Sequence, residues 1–171
     1  SRDGALLAVG MASGRLRVVE SAGGTTRFET DDLESPLFAL AFDGEGRRLA
    51  SGGADGRLRL YELASPRADR SGIDAHAGPV FSLDVSPDGS RLVSTGADGA
   101  ARVWAWGAGH APLSTLEGEA DRVRDARFSD DGRRILKRNG DRISTFDGNA
   151  WARSDAELPA YARSLLGFSA K

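Results

Sequence analysis

The stretch LVSTGADGAARVWA, Leu92–Ala105, decides the fold because it recurs along the chain. LAVGMASGRLRVVE begins at Leu7, LASGGADGRLRLYE begins at Leu49, and a decayed copy, ILKRNGDRISTFD, begins at Ile135. Successive copies start 42, 43 and 43 residues apart. Self-similarity at such a period indicates an array in which each repeat is one supersecondary unit that packs on its neighbours.

Each repeat has the same internal order of short strands and tight turns. A first apolar strand and an Asp/Gly turn precede the quoted stretch, and a weaker apolar run follows it. Residues alternate in RLRLY, Arg57–Tyr61, with the two-residue period of a half-buried strand. Glycine permits the positive φ that tight hairpin turns require. No window has the 3.6-residue period of a helix, so the sequence predicts an all-β chain of four-stranded antiparallel meanders. The first strands are predicted at 38–42, 80–85 and 123–128.

One repeat resembles those of the WD-repeat family of β-propellers in full. It contains His76, Ser94, Asp98 and Trp104, which match the structural hydrogen-bond tetrad of that family in type and spacing. The resemblance implies that His76 lies in the loop before the innermost strand, Ser94 on the second strand, Asp98 in the next turn and Trp104 on the third strand. An indole N–H can only donate, so a buried Trp requires an acceptor. The implied fold is a β-propeller built of four-stranded antiparallel blades.

The other repeats keep only part of this tetrad. Leu33 and Glu119 stand at the histidine positions of the second and fourth repeats, and Lys137 replaces the serine of the fourth. The first repeat has Val9, Ser13 and Val19 at the serine, aspartate and tryptophan positions. The tetrad residues that remain are Ser51, Asp55 and Tyr61 in the second repeat, and Asp141 and Phe146 in the fourth.

The resemblance divides the chain, 1–171, into blades of a single propeller or propeller segment. We expect a blade without its first strand at 1–31, blades at 32–75 and 76–118, a degenerate blade at 119–158, and the first strand of a further or closing blade at 159–171. Three assemblies fit this division. The chain is part of a longer propeller, which is the leading interpretation, or pairs with a second copy in an eight-bladed ring, or closes on itself as four blades.

Composition excludes several classes of function. The net charge of −2 gives no electrostatic case for nucleic acid as a partner. Cysteine is absent, which excludes a thiolate zinc site, and no run approaches the ~20 apolar residues of a membrane span. The Asp-Gly turns lack the alternating carboxylates and distal Glu of a calcium loop. We therefore expect no cofactor, metal or membrane partner. A cytoplasmic location and a bacterial source, suggested by the frequent Ala, Gly, Arg and Asp, are further expectations.

A hydrolase triad is the main catalytic alternative, because His76, Asp98 and Ser94 are the residue types of one. A nucleophilic serine must be exposed and must face oxyanion donors. The tetrad resemblance instead implies a serine buried against a Trp, so we predict no catalytic residue. The arginine pairs of the third strands, such as Arg57 and Arg59, are interpreted as one solvated strand face.

The sequence thus predicts a non-catalytic protein–protein interaction scaffold of WD-repeat type. In this family, side chains at the start of the first strands commonly make the contacts, which here implies Phe38, Phe81 and Arg124, with Arg122 nearby. The expected partners are proteins or further propeller blades. One alternative is a regulatory or sensor segment of a larger bacterial signalling protein, such as an NTPase, kinase or protease. A less favoured alternative is a hydrolase that uses a propeller channel.

Overall fold

The computed structural model describes residues 1–30, 33–65, 72–106, 111–116, 123–140 and 142–147, and the backbone of 153–154. Every regular element in these ranges is a β-strand. The strands are β1 (Leu6–Gly10), β2 (Leu16–Glu20), β3 (Thr26–Thr30), β4 (Leu37–Phe42), β5 (Arg48–Gly53), β6 (Arg57–Glu62), β7 (Ile73–Asp74), β8 (Val80–Val85), β9 (Arg91–Gly96), β10 (Ala101–Ala105), β11 (Ser114–Leu116), β12 (Asp125–Phe128), β13 (Arg134–Asn139), β14 (Arg142–Asp147) and β15 (Arg153–Ser154).

The strands form four separate sheets, each an antiparallel meander in chain order. Sheet 1 contains β1–β3, sheet 2 contains β4–β7, sheet 3 contains β8–β11 and sheet 4 contains β12–β15. The predicted all-β fold with four-stranded antiparallel blades is therefore confirmed. The first strand predicted at 159–171 lies outside the described residues. Because no described residue is helical, none belongs to a helix long and apolar enough to cross a membrane.

Successive sheets stack face to face and bury three apolar cores. Leu16 and Val18 of sheet 1 pack with Leu49 and Tyr61 of sheet 2. The next two interfaces repeat this pattern, and the first strands of sheets 2, 3 and 4 lie beside one another. Between sheets 2 and 3, Ala50 and Leu58 pack with Leu92 and Trp104. Between sheets 3 and 4, Val93, Ala101 and Val103 pack with Ile135 and Phe146.

Glycine on the second strands lets neighbouring sheets approach closely. A Cβ on Gly10 would lie 2.9 Å from Leu37 Cβ, and a Cβ on Gly52 would lie 2.5 Å from Val80 Cγ1. Leu37 and Val80 are the first residues of the adjoining first strands. A side chain at either glycine would therefore push two sheets apart.

The turns after the first strands of sheets 3 and 4 are closed by a serine hydroxyl and an aspartate. Ser86 Oγ donates to Asp88 Oδ1 at 2.6 Å and accepts from Arg91 N at 2.9 Å, and Gly89 supplies the positive φ. Ser129 and Asp131 repeat these bonds. The hydrogen bond from Ser86, followed by that from Ser90 N–H, lowers the pKa of Asp88 to about 2. These carboxylates are thus occupied by turn hydrogen bonds, as Asp-rich turns commonly are.

Sheet 2 uses a different turn, which also fixes it to sheet 3. Asp43, only 3% exposed, accepts from the backbone N–H of Arg48 at 3.1 Å and from its Nε at 3.0 Å. Arg48 Nη2 donates to the Gly89 carbonyl at 2.8 Å, and the guanidinium lies 4.7 Å from the centre of the Trp106 ring. One arginine therefore joins its own turn to the next sheet.

Candidate functional site

The four residues of the full tetrad are brought together in sheet 3. Trp104 Nε1 on β10 donates to Ser94 Oγ on β9 at 2.9 Å. Ser94 Oγ lies 2.8 Å from His76 Nε2, and His76 Nδ1 lies 2.8 Å from Asp98 Oδ1. His76 precedes β8, and Asp98 lies in the turn between β9 and β10. The result is a continuous chain of hydrogen bonds from the core to the loop that enters the first strand.

One histidine tautomer satisfies the three bonds that link Trp104, Ser94, His76 and Asp98. The indole can only donate, so Ser94 Oγ accepts from Trp104 and gives its own proton to His76 Nε2. Nδ1 therefore holds the ring proton and donates it to the Asp98 carboxylate. Arg102 Nη1 lies 2.7 Å from both His76 Nδ1 and Asp98 Oδ2. Because Nδ1 carries the ring proton and cannot accept, the guanidinium donates to the carboxylate. Asp98 is thus held by two side chains, and it also accepts from the backbone N–H groups of Ala77 and Ala100.

The electrostatics keep His76 neutral and Asp98 ionised. Burial lowers the pKa of His76 below its ordinary value, and it outweighs the opposing effect of Asp98. Partial burial acts to raise the pKa of Asp98, but hydrogen bonds from His76 and Arg102 outweigh it and lower that pKa to about 2. A protonated His76 would also present Nε2–H to Ser94 and leave the hydroxyl proton without its acceptor. The site therefore favours the neutral imidazole.

This geometry does not suit nucleophilic catalysis. Ser94 is fully buried, and its oxygen lies between the indole and the imidazole. A Cβ on Gly96 would overlap the His76 ring, so the imidazole also covers the end of β9. No substrate carbonyl can reach the hydroxyl without opening this core, whereas a triad serine is exposed.

The second repeat replaces the tetrad with a shorter polar pair and an arginine. Ser51 Oγ lies 3.1 Å from the Tyr61 hydroxyl, and Leu33 is buried among the apolar residues of the first interface. Asp55 accepts from Arg59 Nη2 at 2.6 Å. Arg59 is only 6% exposed, so the interpretation of Arg57 and Arg59 as one solvated face is wrong for Arg59. The structure buries it because its cross-strand neighbour, Ser51, faces the preceding sheet.

The fourth repeat has a lysine and an aromatic ring at the serine and tryptophan positions of the tetrad. Lys137 takes the serine position and Phe146 the tryptophan position, and both are 4% exposed. Lys137 Nζ lies 5.2 Å from the centre of the Phe146 ring, within the range of a cation–π contact. The first repeat has Val9 and Val19 there, with Ser13 in the following turn. Asp141 lies outside the described residues.

The predicted contact residues occupy equivalent places at the start of the first strands. The ladder between β4 and β5 shifts register at Phe38, and that between β8 and β9 shifts at Phe81, so each is the extra residue of a β-bulge. Phe38 is 55% exposed, Phe81 is half-buried and Arg124 is exposed. Bulges commonly re-aim a side chain, which accounts for an exposed Phe in a strand rich in apolar residues. Arg122 lies outside the described residues.

Two side chains of β8 bind the backbone of the adjoining first strand. Asp84 Oδ2 accepts from Phe128 N at 2.7 Å, and Ser82 Oγ accepts from Ala126 N at 3.3 Å. Burial raises the pKa of Asp84, although the Phe128 N–H opposes the shift. A channel hydrolase would need carboxylates on the innermost strands, and here Asp84 is engaged in joining sheets 3 and 4, while Asp125 on β12 pairs with Arg127.

Comparison with protein families agrees with this geometry. The family model of the WD domain, G-beta repeat, matches residues 27–62 and 70–105. These two segments are WD repeats. The second matched segment holds the complete His76–Trp104 tetrad, and the first holds the Ser51–Tyr61 pair. Comparison with curated proteins gave no match. WD-repeat domains generally mediate protein–protein interaction and are typically non-catalytic.

Sequence reasoning missed three features of these repeats. The bulges at Phe38 and Phe81 leave no residue-type signal, because the extra residue is visible only in the ladder register. The Arg102–Asp98 ion pair could have been found, since Asp55 and Arg59 repeat its spacing of four residues. The contact of Lys137 with Phe146 requires the register, because Phe146 pairs with Ile135 and Lys137 lies two residues further along the same face of β13.

Proposed function

We propose that this chain is a non-catalytic protein–protein interaction scaffold whose contact surface is formed by Phe38, Phe81 and Arg124. The observation that carries the proposal is the 55% exposure of Phe38 at a bulge that is repeated at Phe81. A large apolar side chain held out from a rigid strand suits a binding anchor, because little entropy is lost when it is covered.

The rigid support of this surface comes from the interior. β4, β8 and β12 lie side by side, so their equivalent residues form one surface across three sheets. Asp98 also accepts from the backbone N–H of Ala77 at 3.2 Å, which ties down the loop that enters β8 just before Phe81. Two aromatic rings and one cation favour a partner segment that combines apolar residues with Asp or Glu.

A displayed library of random peptides, selected on the intact chain, tests this proposal. We expect enrichment of peptides with apolar and acidic residues. Their affinity should fall at least about tenfold for the triple variant Phe38→Ala, Phe81→Ala, Arg124→Ala, as when anchor residues worth more than 1 kcal/mol are lost.

The matched control is Leu113→Ala, because Leu113 is 53% exposed but lies just before the outer strand β11. Leu113→Ala should leave peptide binding unchanged, and all variants should have the melting temperature of the wild type. Selected peptides that bind the triple variant and the wild type equally would show that the contact surface lies elsewhere.

A further inference from the structure

Sheet 1 exposes an apolar face that its counterparts bury. Leu7 is 56% exposed and Val9 is 38% exposed, although both lie in the regular strand β1. Leu7 pairs with Val19 of β2, so these side chains share one face of the sheet. We call this the upstream face, and the opposite face of each sheet is its downstream face.

The same upstream positions are covered in the next three sheets. Counterparts of Leu7 are Leu49, Leu92 and Ile135, each of which is fully buried. The counterparts of Val9 are Ser51, Ser94 and Lys137, and those of Val19 are Tyr61, Trp104 and Phe146. All six are at most 4% exposed. In each case the downstream face of the preceding sheet provides the cover. The upstream face of sheet 1 is therefore half of an interface that occurs three times in the described chain.

Sheet 4 carries the other half. Its downstream face contains Leu136 and Ile143, which correspond to Val93 and Ala101 of sheet 3. Val93 and Ala101 are fully buried by sheet 4, whereas Leu136 and Ile143 are only half-buried. No apolar core of the described residues joins sheet 4 to sheet 1. Sheets 1 and 4 thus present two complementary surfaces that the described residues cover incompletely.

We infer that a second copy of this chain docks the downstream face of its sheet 4 on the upstream face of sheet 1. Two copies related by a twofold axis make the contact twice and cover both open surfaces of each chain. The contact continues the packing already present between sheets 1 and 2, 2 and 3, and 3 and 4. It is separate from the surface of Phe38 and Phe81, so the two proposals can fail independently.

Light scattering after size exclusion of the full chain, over a wide range of concentration, tests this inference. We expect a mass twice that of the 18.0 kDa chain. Leu7→Asp combined with Val9→Asp should return the mass to 18.0 kDa with an unchanged circular dichroism spectrum, because both side chains are already exposed. Leu113→Asp, which changes an equally exposed leucine outside this face, should leave the dimer intact.

A mixing experiment separates this dimer from other assemblies. Ile143→Asp, or Leu136→Asp if the former does not fold, should also be monomeric. Mixing it with the Leu7→Asp, Val9→Asp variant should restore dimers, because one intact contact can form between them. If Ile143→Asp and Leu136→Asp both remain dimeric, two upstream faces meet instead and the inference is wrong. A folded monomer for the unaltered chain would also overturn it.

Discussion

Replacement of Ser94 by alanine should destabilise the chain by about 2–4 kcal/mol. The hydroxyl accepts from Trp104 Nε1 and donates to His76 Nε2, and all three groups are buried. Its removal leaves the indole N–H and the imidazole nitrogen without partners, and each such loss costs about 1–3 kcal/mol. Some relaxation of the His76 loop offsets part of the sum. The expected loss is a large share of the ~5–15 kcal/mol that stabilises a typical domain.

The neighbouring Thr95 supplies a matched control. It is fully buried on the same strand, but its Oγ1 has no hydrogen-bond partner among the described residues. Thr95→Val keeps the shape and the β-branched preference for a strand, and it removes an unsatisfied hydroxyl. We therefore expect Thr95→Val to be neutral or to stabilise the chain by up to about 1 kcal/mol.

Urea denaturation followed by far-ultraviolet circular dichroism measures both effects, with a common slope if the unfolded states are alike. The signal does not depend on Trp104 fluorescence, so Trp104→Phe can be added to complete a double-mutant cycle. The cycle should give a coupling energy of about 1 kcal/mol or more between Ser94 and Trp104. If Ser94→Ala unfolds at the same urea concentration as Thr95→Val, the hydrogen-bond chain does not stabilise the repeat.

Three further outcomes follow from the interfaces. Arg48→Met should lower the free energy of unfolding by about 2 kcal/mol in urea denaturation, because it leaves the buried Asp43 carboxylate without its guanidinium partner. Arg47→Met in the same turn should change that free energy by less than ~0.5 kcal/mol. Gly52→Ala should lower the free energy of unfolding by about 1–3 kcal/mol through overpacking, and Val80→Ala in that background should cost less than it does in the wild type. Burial lowers the pKa of His76 in the folded chain, so as the pH falls His76 is protonated in the unfolded chain before it is protonated in the folded chain. The melting temperature should hold above about pH 6.5 and fall below it, and His76→Gln should flatten that slope.

The repeat architecture could be predicted because it depends on patterns within short stretches of sequence. Alternating strands, Gly-rich turns and a fixed period require no knowledge of packing, and the family match at 27–62 and 70–105 agrees with them. The four tetrad residues could be named for the same reason, since their types and spacing suffice.

What the sequence could not provide depends on contacts between sheets. Arg59 has the same alternating neighbours as Arg57 and lies on the same face of β6, yet Arg59 is buried while Arg57, at the start of the strand, is exposed. The bulge at Phe38 depends on one extra residue in a ladder, and residue types alone do not fix where it falls. The exposure of Leu7 is likewise invisible in the sequence, because its counterparts Leu49 and Leu92 are the same residue in a covered position.

The tetrad does more than fill an interface, because the three covered interfaces solve the same packing problem with different chemistry. At the same positions, sheet 2 has a Ser–Tyr contact, sheet 3 a Ser–Trp hydrogen bond and sheet 4 a Lys–Phe cation–π contact. Packing of the sheets therefore does not require the full tetrad. Its distinctive member, His76, instead reaches from the core to Asp98, and Asp98 fixes the loop that enters β8. The tetrad thus connects the stability of the interior to the position of Phe81, so its loss should weaken partner binding even where the fold survives.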